Sequence, residues 1–362
     1  MTRQGIAVLV DLLRDRPGPS SFEESNWIEL LRVADEENVL PILASRLRGS
    51  ATDLAPQQRA ELDDIERKAR FSAFVSTETL KTVLKEFHAA ELPAIALKGP
   101  SLAERFYGDT ALRTYADLDL LVRRADLGRA ERLLERLRFA AIGHPDDYHQ
   151  SWVRNGVRLE LHHGVDHPLA FEFDLGRAWS RAHPAQFAGV PVHLFAAPDE
   201  LFYLCLHAVR HRFDRLCLLV DLARAFRHLS PDYISLAAPG SSSNNILTLG
   251  WLMAVRLDNS LPVPPGSDFL SRDHARLQRL AQQLWREHMA EPAQRLDWAA
   301  QHRFYLQVES PGRQRMLRRW RHWRILSSRL IDADYEFAAC LRLHRAWQAR
   351  LLRPIRLLTR GA

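Results

Sequence analysis

Leu97-Lys98-Gly99-Pro100-Ser101 and, a little further on, Asp117-Leu118-Asp119-Leu120-Leu121-Val122 are the stretches whose reading decides the fold. The first puts a glycine turn between the apolar run Pro93 to Leu97, which has the length of a buried strand, and a helix from about Ser101 to Tyr107. The second reads as a strand whose side chains alternate, so Asp117 and Asp119 share one face while Leu118 and Leu120 enter the core. Two acids crowded on one face repel each other and call for a cation, a shared proton or full solvation. A magnesium ion carrying a nucleotide's phosphates supplies that cation, and a helix start just ahead of the pair suits the phosphates.

Working outward, Asp126 opens a helix through Leu133, Leu134 and Leu137. Tyr148 to Arg154 and Val157 to His163 are two strands joined by Asn155-Gly156, a strong two-residue hairpin signal. In the second strand Val157, Leu159 and Leu161 alternate with Arg158, Glu160 and His162, so Glu160 and His162 emerge on the polar face. Strand, helix, strand, helix and hairpin describe a small mixed sheet with helices on one side, an α+β unit. Before it, Trp27, Leu30, Leu31 and Val33, and then Phe71 to Phe87, recur at helical steps. After it, Leu201, Leu204, Cys205, Ala208 and Val209 form one helical stripe and Leu216 to Phe226 another. Ala237 to Asn245 and Leu261 to Gly266 read as loops. The expected division is 1–90 helical, 91–196 α+β, and 197–362 helical with a basic tail.

The chain of 362 residues is 46% hydrophobic and 26% charged, the balance of an ordinary globular protein. No apolar run reaches membrane-spanning length and no signal-peptide pattern is present, so a cytoplasmic location is expected. Cys205, Cys217 and Cys340 show no metal or redox spacing, which agrees. The net charge of +6 sits in the tail, where Pro311 to Ala362 holds 13 Arg against 3 acids. Of the 50 basic residues only Lys68, Lys81, Lys85 and Lys98 are lysine, which sets apart the one beside the glycine turn.

Leu97-Lys98-Gly99, Tyr107-Gly108-Asp109, Arg113, Asp117 to Val122 and Leu159-Glu160-Leu161-His162 together resemble a bacterial nucleotidyltransferase family related to the DNA polymerase β superfamily. Leu204-Cys205-Leu206-His207, His211 and Asp221 resemble that family's helical part, and the likeness covers about residues 25 to 230. The resemblance implies metal-dependent transfer of a nucleoside monophosphate from a nucleoside triphosphate. Asp117, Asp119 and Glu160 would be the catalytic carboxylates and ligands of Mg2+ or Mn2+, with Glu160 also taking the acceptor's proton. Lys98, Gly99, Ser101, Arg113 and His162 would meet the nucleotide. Pro100 stands where the superfamily has a second glycine, which removes an amide donor but suits a first helical turn. The third acid is Glu where the superfamily has Asp. The acceptor is not legible: a small molecule, a protein and a ribosomally made peptide, as in natural product biosynthesis, all fit.

Other readings accompany this one. An Asp-x-Asp pair alone is commonly a solvated strand edge, and it is its order with the turn and the third acid that points to a site. Lys98 and Arg113 serve equally as ion-pair partners of acids. Transfer of the γ-phosphoryl group would use the same acids. His162, His163, Asp166 and His167 form a donor-rich cluster, and His207 and His211 lie four apart on a helix, yet neither set has zinc-hydrolase spacing. His207, Arg210, His211 and Asp221 either line a cleft or brace the helices. Arg315, Arg318, Arg319, Arg321 and Arg324, with Trp320 and Trp323, suit RNA or an anionic surface, making a non-catalytic binding protein the rival from another class. A packed amphipathic helix is the simpler reading of that tail.

Overall fold

The structure is a computed structural model that describes residues 3–143, 148–165, 173–229, 242–261, 273–290 and 298–309. Asp166, His167, Cys340, most of both expected loops and the arginine-rich tail lie outside these residues. No described helix is long and apolar enough to cross a membrane.

Four helices come first: α1 (Arg3–Leu13), α2 (Glu24–Glu36), α3 (Leu40–Arg48) and the long α4 (Pro56–Ala89). The α+β part follows as β1 (Ala94–Ala96), α5 (Gly99–Tyr107), β2 (Asp117–Val122), α6 (Leu127–Arg136), β3 (Ala140–Ile142), β4 (His149–Arg154), β5 (Val157–His162), α7 (Leu175–Arg181), β6 (His183–Phe187) and β7 (Val190–Leu194). The chain then continues through α8 (Ala197–Arg210), α9 (Leu216–His228), α10 (Ser242–Leu257), α11 (His274–Ala290) and α12 (Trp298–Val308).

The strands form one seven-stranded mixed sheet in the order β3-β4-β5-β2-β1-β7-β6. Strands β2 and β5 run parallel, with Asp117 opposite Arg158, Asp119 opposite Glu160 and Leu121 opposite His162. Strand β1 is antiparallel to β2 and parallel to β7. The α+β expectation stands, and the strand β2 and the β4–β5 hairpin fall where the alternation puts them. Asn155 and Gly156 both take positive φ, 49° and 79°, as the tight hairpin requires.

Helices pack on both faces of the sheet, not one. Ala94, Ala96, Leu118, Leu120, Val122, Leu159 and Leu161 pack with Leu80, Val83, Leu84 and Phe87 of α4 and Ala130, Leu133 and Leu134 of α6. Ile95, Leu97 and Leu121 face the other way, into a larger cluster shared by α1–α3, α5 and α8–α11. The central strands β1 and β2 are short and largely buried, and α5 and the Lys98 side chain, which reaches His207 of α8, lie next to the face carrying the carboxylates. A second correction concerns the loop expected over Ala237 to Asn245, because α10 starts at Ser242. Its Ser-Ser-Asn-Asn opening suits a helix start as well as a turn. Asn245 is fully buried there and donates from Nδ2 to the Val308 carbonyl at 2.8 Å.

Candidate active site

The turn between β1 and α5 is held tightly against β2. The Leu97 amide donates to the Asp119 carbonyl at 3.1 Å. Gly99 has φ +66°, a left-handed conformation that favours glycine, and a Cβ there would lie 3.6 Å from the Asp117 carbonyl oxygen. Pro100 occupies the first turn of α5, no side chain caps that end, and Ser101 is buried. The start of α5 thus leaves its first amides without a side-chain cap next to the strand that carries the carboxylates.

On the sheet face below, Asp119 is 3% exposed and flanked by a cation and an imidazole. His162 Nε2–H donates to Asp119 Oδ1 at 3.0 Å and lies 3.4 Å from Glu160 Oε2. Lys98 Nζ is 3.3 Å from Asp119 Oδ2. That contact is an ion pair short of regular hydrogen-bond geometry, so Oδ2 is a buried oxygen whose described partner is the Lys98 ammonium. Among the described residues, Asp119, Glu160 and His162 are the group whose oxygen and nitrogen atoms converge, all within 4.8 Å of one another. Asp117 stands beside this group on the same face and outside it. A buried carboxylate next to a second carboxylate and an imidazole suits a divalent cation.

The electrostatics follow from the crowding. Burial, and then Asp119, push the Asp117 carboxyl up to about 6 against the pull of Lys98. Burial also opposes ionisation of Asp119, but Lys98 and His162 outweigh it and hold that carboxyl well below the usual range. Glu160 is likewise desolvated, yet His162 and His149 bring it below its ordinary value. Burial lowers the proton affinity of His162, and its hydrogen bonds to Asp119 and Glu160 more than reverse this. The site therefore separates its two aspartates, one reluctant to ionise and one firmly ionised.

Lys98 is held from both sides. Its Nζ donates to His207 Nε2 at 3.4 Å. Burial and the adjacent Lys98 push His207 well below its ordinary value, and burial with Arg210 brings His211 down to about 4, so both rings are neutral at neutral pH. Arg113 is placed differently from Lys98. Its guanidinium grips Asp221 of α9, with Nε at 2.9 Å from Oδ1 and Nη2 at 2.8 Å from Oδ2. The Tyr107 hydroxyl donates to the same Asp221 Oδ1 at 2.5 Å. Arg113 lowers Asp117 through space, but its fork is engaged behind the site.

Of the residues picked out in the sequence, Lys98, Gly99, Asp117, Asp119, Glu160 and His162 come together, Ser101 is buried in the first turn of α5, and Arg113 joins Asp221. His149 was not picked out, yet its ring stacks on His162 at 5.1 Å and its Nε2 lies 3.8 Å from Glu160 Oε2. Counting back from Asn155-Gly156 finds it, because His149 pairs with His162 in the hairpin register. Tyr148 is a second such residue. Arg210 donates to its hydroxyl at 2.6 Å and to the Val165 carbonyl at 3.1 Å, tying α8 to the start of β4.

No curated protein matches the chain. Solved structures with some likeness include ANT(2")-Ia in complex with adenylyl-2"-tobramycin, at 18% identity and TM-score 0.30 over 37% of this chain and 76% of that one. Another is the solution structure of the antibiotic-resistance factor ANT(2'')-Ia, at 13% identity and TM-score 0.32 over 60% and 99%. A third is an antigenic nucleotidyltransferase-like protein from Paracoccidioides brasiliensis, at 17% identity and TM-score 0.35 over 50% and 87%. TM-scores of this size carry no structural argument, and the assignment rests on the sequence. The model of a family described as uncharacterised nucleotidyltransferase matches residues 23–238, which span the turn, the carboxylates, Arg113, His207 and Asp221, and the chain belongs to that family.

Proposed function

We propose that the protein transfers a nucleoside monophosphate from a nucleoside triphosphate to an acceptor hydroxyl or phosphate, with the α+β unit of residues 91–196 carrying the chemistry. The observation that carries this is the register of β2 and β5, which sets Asp119 directly beside Glu160 on the face roofed by the Gly99 turn. Asp119 and Glu160, with Asp117 next to them, would hold a divalent cation. Such a cation would neutralise the triphosphate and stabilise the entering and leaving oxygens of an in-line displacement at the α-phosphorus. The amides opening α5 hold the β- and γ-phosphates, and the Lys98 ammonium offsets their charge. Gly99 lets the backbone approach the phosphates where a side chain would intervene. Ser101 completes the phosphate side of the pocket. Arg113, clamped on Asp221, adds positive field from behind.

The acceptor oxygen forms the new bond to the α-phosphorus as the bond to the β-phosphate oxygen breaks, and pyrophosphate leaves. The acceptor's proton passes to a carboxylate. Asp117, which stands outside the convergent group, suits that role better than Glu160, whose carboxylate would be engaged by the cation. We assign Mg2+ or Mn2+ as the cation, a cytoplasmic location, and an acceptor class that includes small molecules, proteins and ribosomally made peptides.

The test is label transfer from α-labelled and γ-labelled forms of each nucleoside triphosphate to a cell-extract fraction, with Asp119→Asn as control. Label arriving from the α-position and lost in the variant supports the proposal. Label arriving only from the γ-position makes the protein a phosphotransferase on the same scaffold. Variant-insensitive results together with salt-dependent RNA binding would return the function to the arginine-rich tail.

A further inference from the structure

The resemblance implies a site of three carboxylates, yet the three atoms that converge here are two oxygens and one nitrogen. His162 follows Glu160 by two residues on β5, so both side chains rise from the same face. The ring leans back over its neighbour, and Nε2 comes to 3.0 Å from Asp119 Oδ1 and 3.4 Å from Glu160 Oε2. Stacking on His149 at 5.1 Å fixes the plane of the ring. Its other nitrogen, Nδ1, is buried with no hydrogen-bond partner, so the two carboxylates are what Nε2 is aimed at and nothing draws Nδ1 away. Asp117, the carboxylate expected to complete the set, lies outside the convergent group.

We infer that His162 Nε2 is itself a ligand of the cation, beside Asp119 and Glu160, and that the site selects a first-row transition ion over Mg2+. The inference rests on the cation-dependent transfer proposed above and deepens it. Binding would require the Nε2 proton to leave or shift to Nδ1, which frees the Nε2 lone pair for the metal. Mg2+ prefers an all-oxygen shell and sheds water reluctantly, whereas imidazole nitrogen suits the transition series. Mn2+ is the weakest binder of that series, which makes it the stringent probe.

The experiment loads the full chain with Mn2+ or Mg2+, measures both affinities by calorimetry, and records pulsed electron paramagnetic resonance on the Mn2+ form. The expected result is 14N modulation from a coordinated imidazole and an affinity for Mn2+ about tenfold or more above that for Mg2+. His162→Gln puts an oxygen near the position of Nε2. It should remove the modulation and lower Mn2+ affinity about tenfold while moving Mg2+ affinity less than about threefold. His149→Gln should keep the modulation. Bound Mn2+ without 14N modulation in the wild-type protein overturns the inference and leaves the carboxylate reading standing. So does modulation lost in His149→Gln and kept in His162→Gln. The wild-type spectrum decides even if His162→Gln fails to fold. Binding of neither ion, with a nucleoside triphosphate present or absent, overturns the inference and the proposed cation-dependent function together.

Discussion

Replacing Asp117 with Asn removes one of three like charges from a desolvated sheet face, and in the metal-free protein this should stabilise the fold. The Asp117 carboxyl is raised from 3.8 to about 6 by burial and by Asp119. A raised folded-state value means that the native state holds the proton more tightly than the unfolded chain. The associated stability is therefore fully present below about pH 3.8 and is lost as pH rises through about 6. A shift of about 2 units at about 1.36 kcal/mol per unit sets an upper bound of about 3 kcal/mol, and partial exposure of the carboxyl brings the expected gain to about 1–3 kcal/mol. Asn resembles the protonated acid, so the variant and the wild type should have similar stability near pH 3.5. The variant should gain progressively up to about pH 6 and keep a constant advantage above it. Urea unfolding in the presence of a chelator, at half-unit steps from pH 3.5 to 8, measures this directly. A variant that is less stable than wild type at pH 7.5, or whose advantage does not change with pH, would refute the crowding argument.

Two further substitutions test the supports of the site. Arg113→Met leaves Asp221 buried with only the Tyr107 hydroxyl among its described side-chain partners, and should cost about 3–5 kcal/mol in urea unfolding. A loss below about 1 kcal/mol would mean the pair is not the brace described. Gly99→Ala forces a left-handed φ on a residue with a Cβ, while the contacts that Cβ would make at 3.6 and 3.8 Å are ordinary. The expected loss of stability is therefore the backbone term of about 1–2 kcal/mol, accompanied by weaker triphosphate binding. Unchanged binding affinity would remove the turn from the phosphate site.

What was legible in the sequence was whatever local chemistry fixes. Alternation placed Asp117 and Asp119 together, and Asn155-Gly156 fixed the β4–β5 hairpin, which in turn put Glu160 and His162 on one face. The β6–β7 hairpin stayed hidden for equally local reasons. Its turn is Ala188-Gly189, with Ala188 at φ 47°, and Pro184 and Pro191 sit within its strands. Pro184 is tolerated because β6 is the sheet edge, and Pro191 because it lies at the start of β7, before the His193 that pairs with β1. The pairing of Arg113 with Asp221 spans 108 residues, and no spacing rule reaches that far. The same distance hides the contact of Lys98 with His207. The extent of helix on both faces was also not legible, because α4 and α8 read as amphipathic stripes with no sign of which sheet face each would cover.

The central claim is that a triphosphate binds on the carboxylate face through a cation. Without a cation, Asp119 and Glu160 present negative charge to the phosphates, and the most direct measurement is nucleoside triphosphate affinity with and without a divalent ion. The wild-type protein should bind weakly in a chelator and about tenfold or more tightly with the ion, a gain that an Asp119→Asn, Glu160→Gln double variant loses. An equal gain in the double variant, or tight binding with no ion at all, would contradict the account.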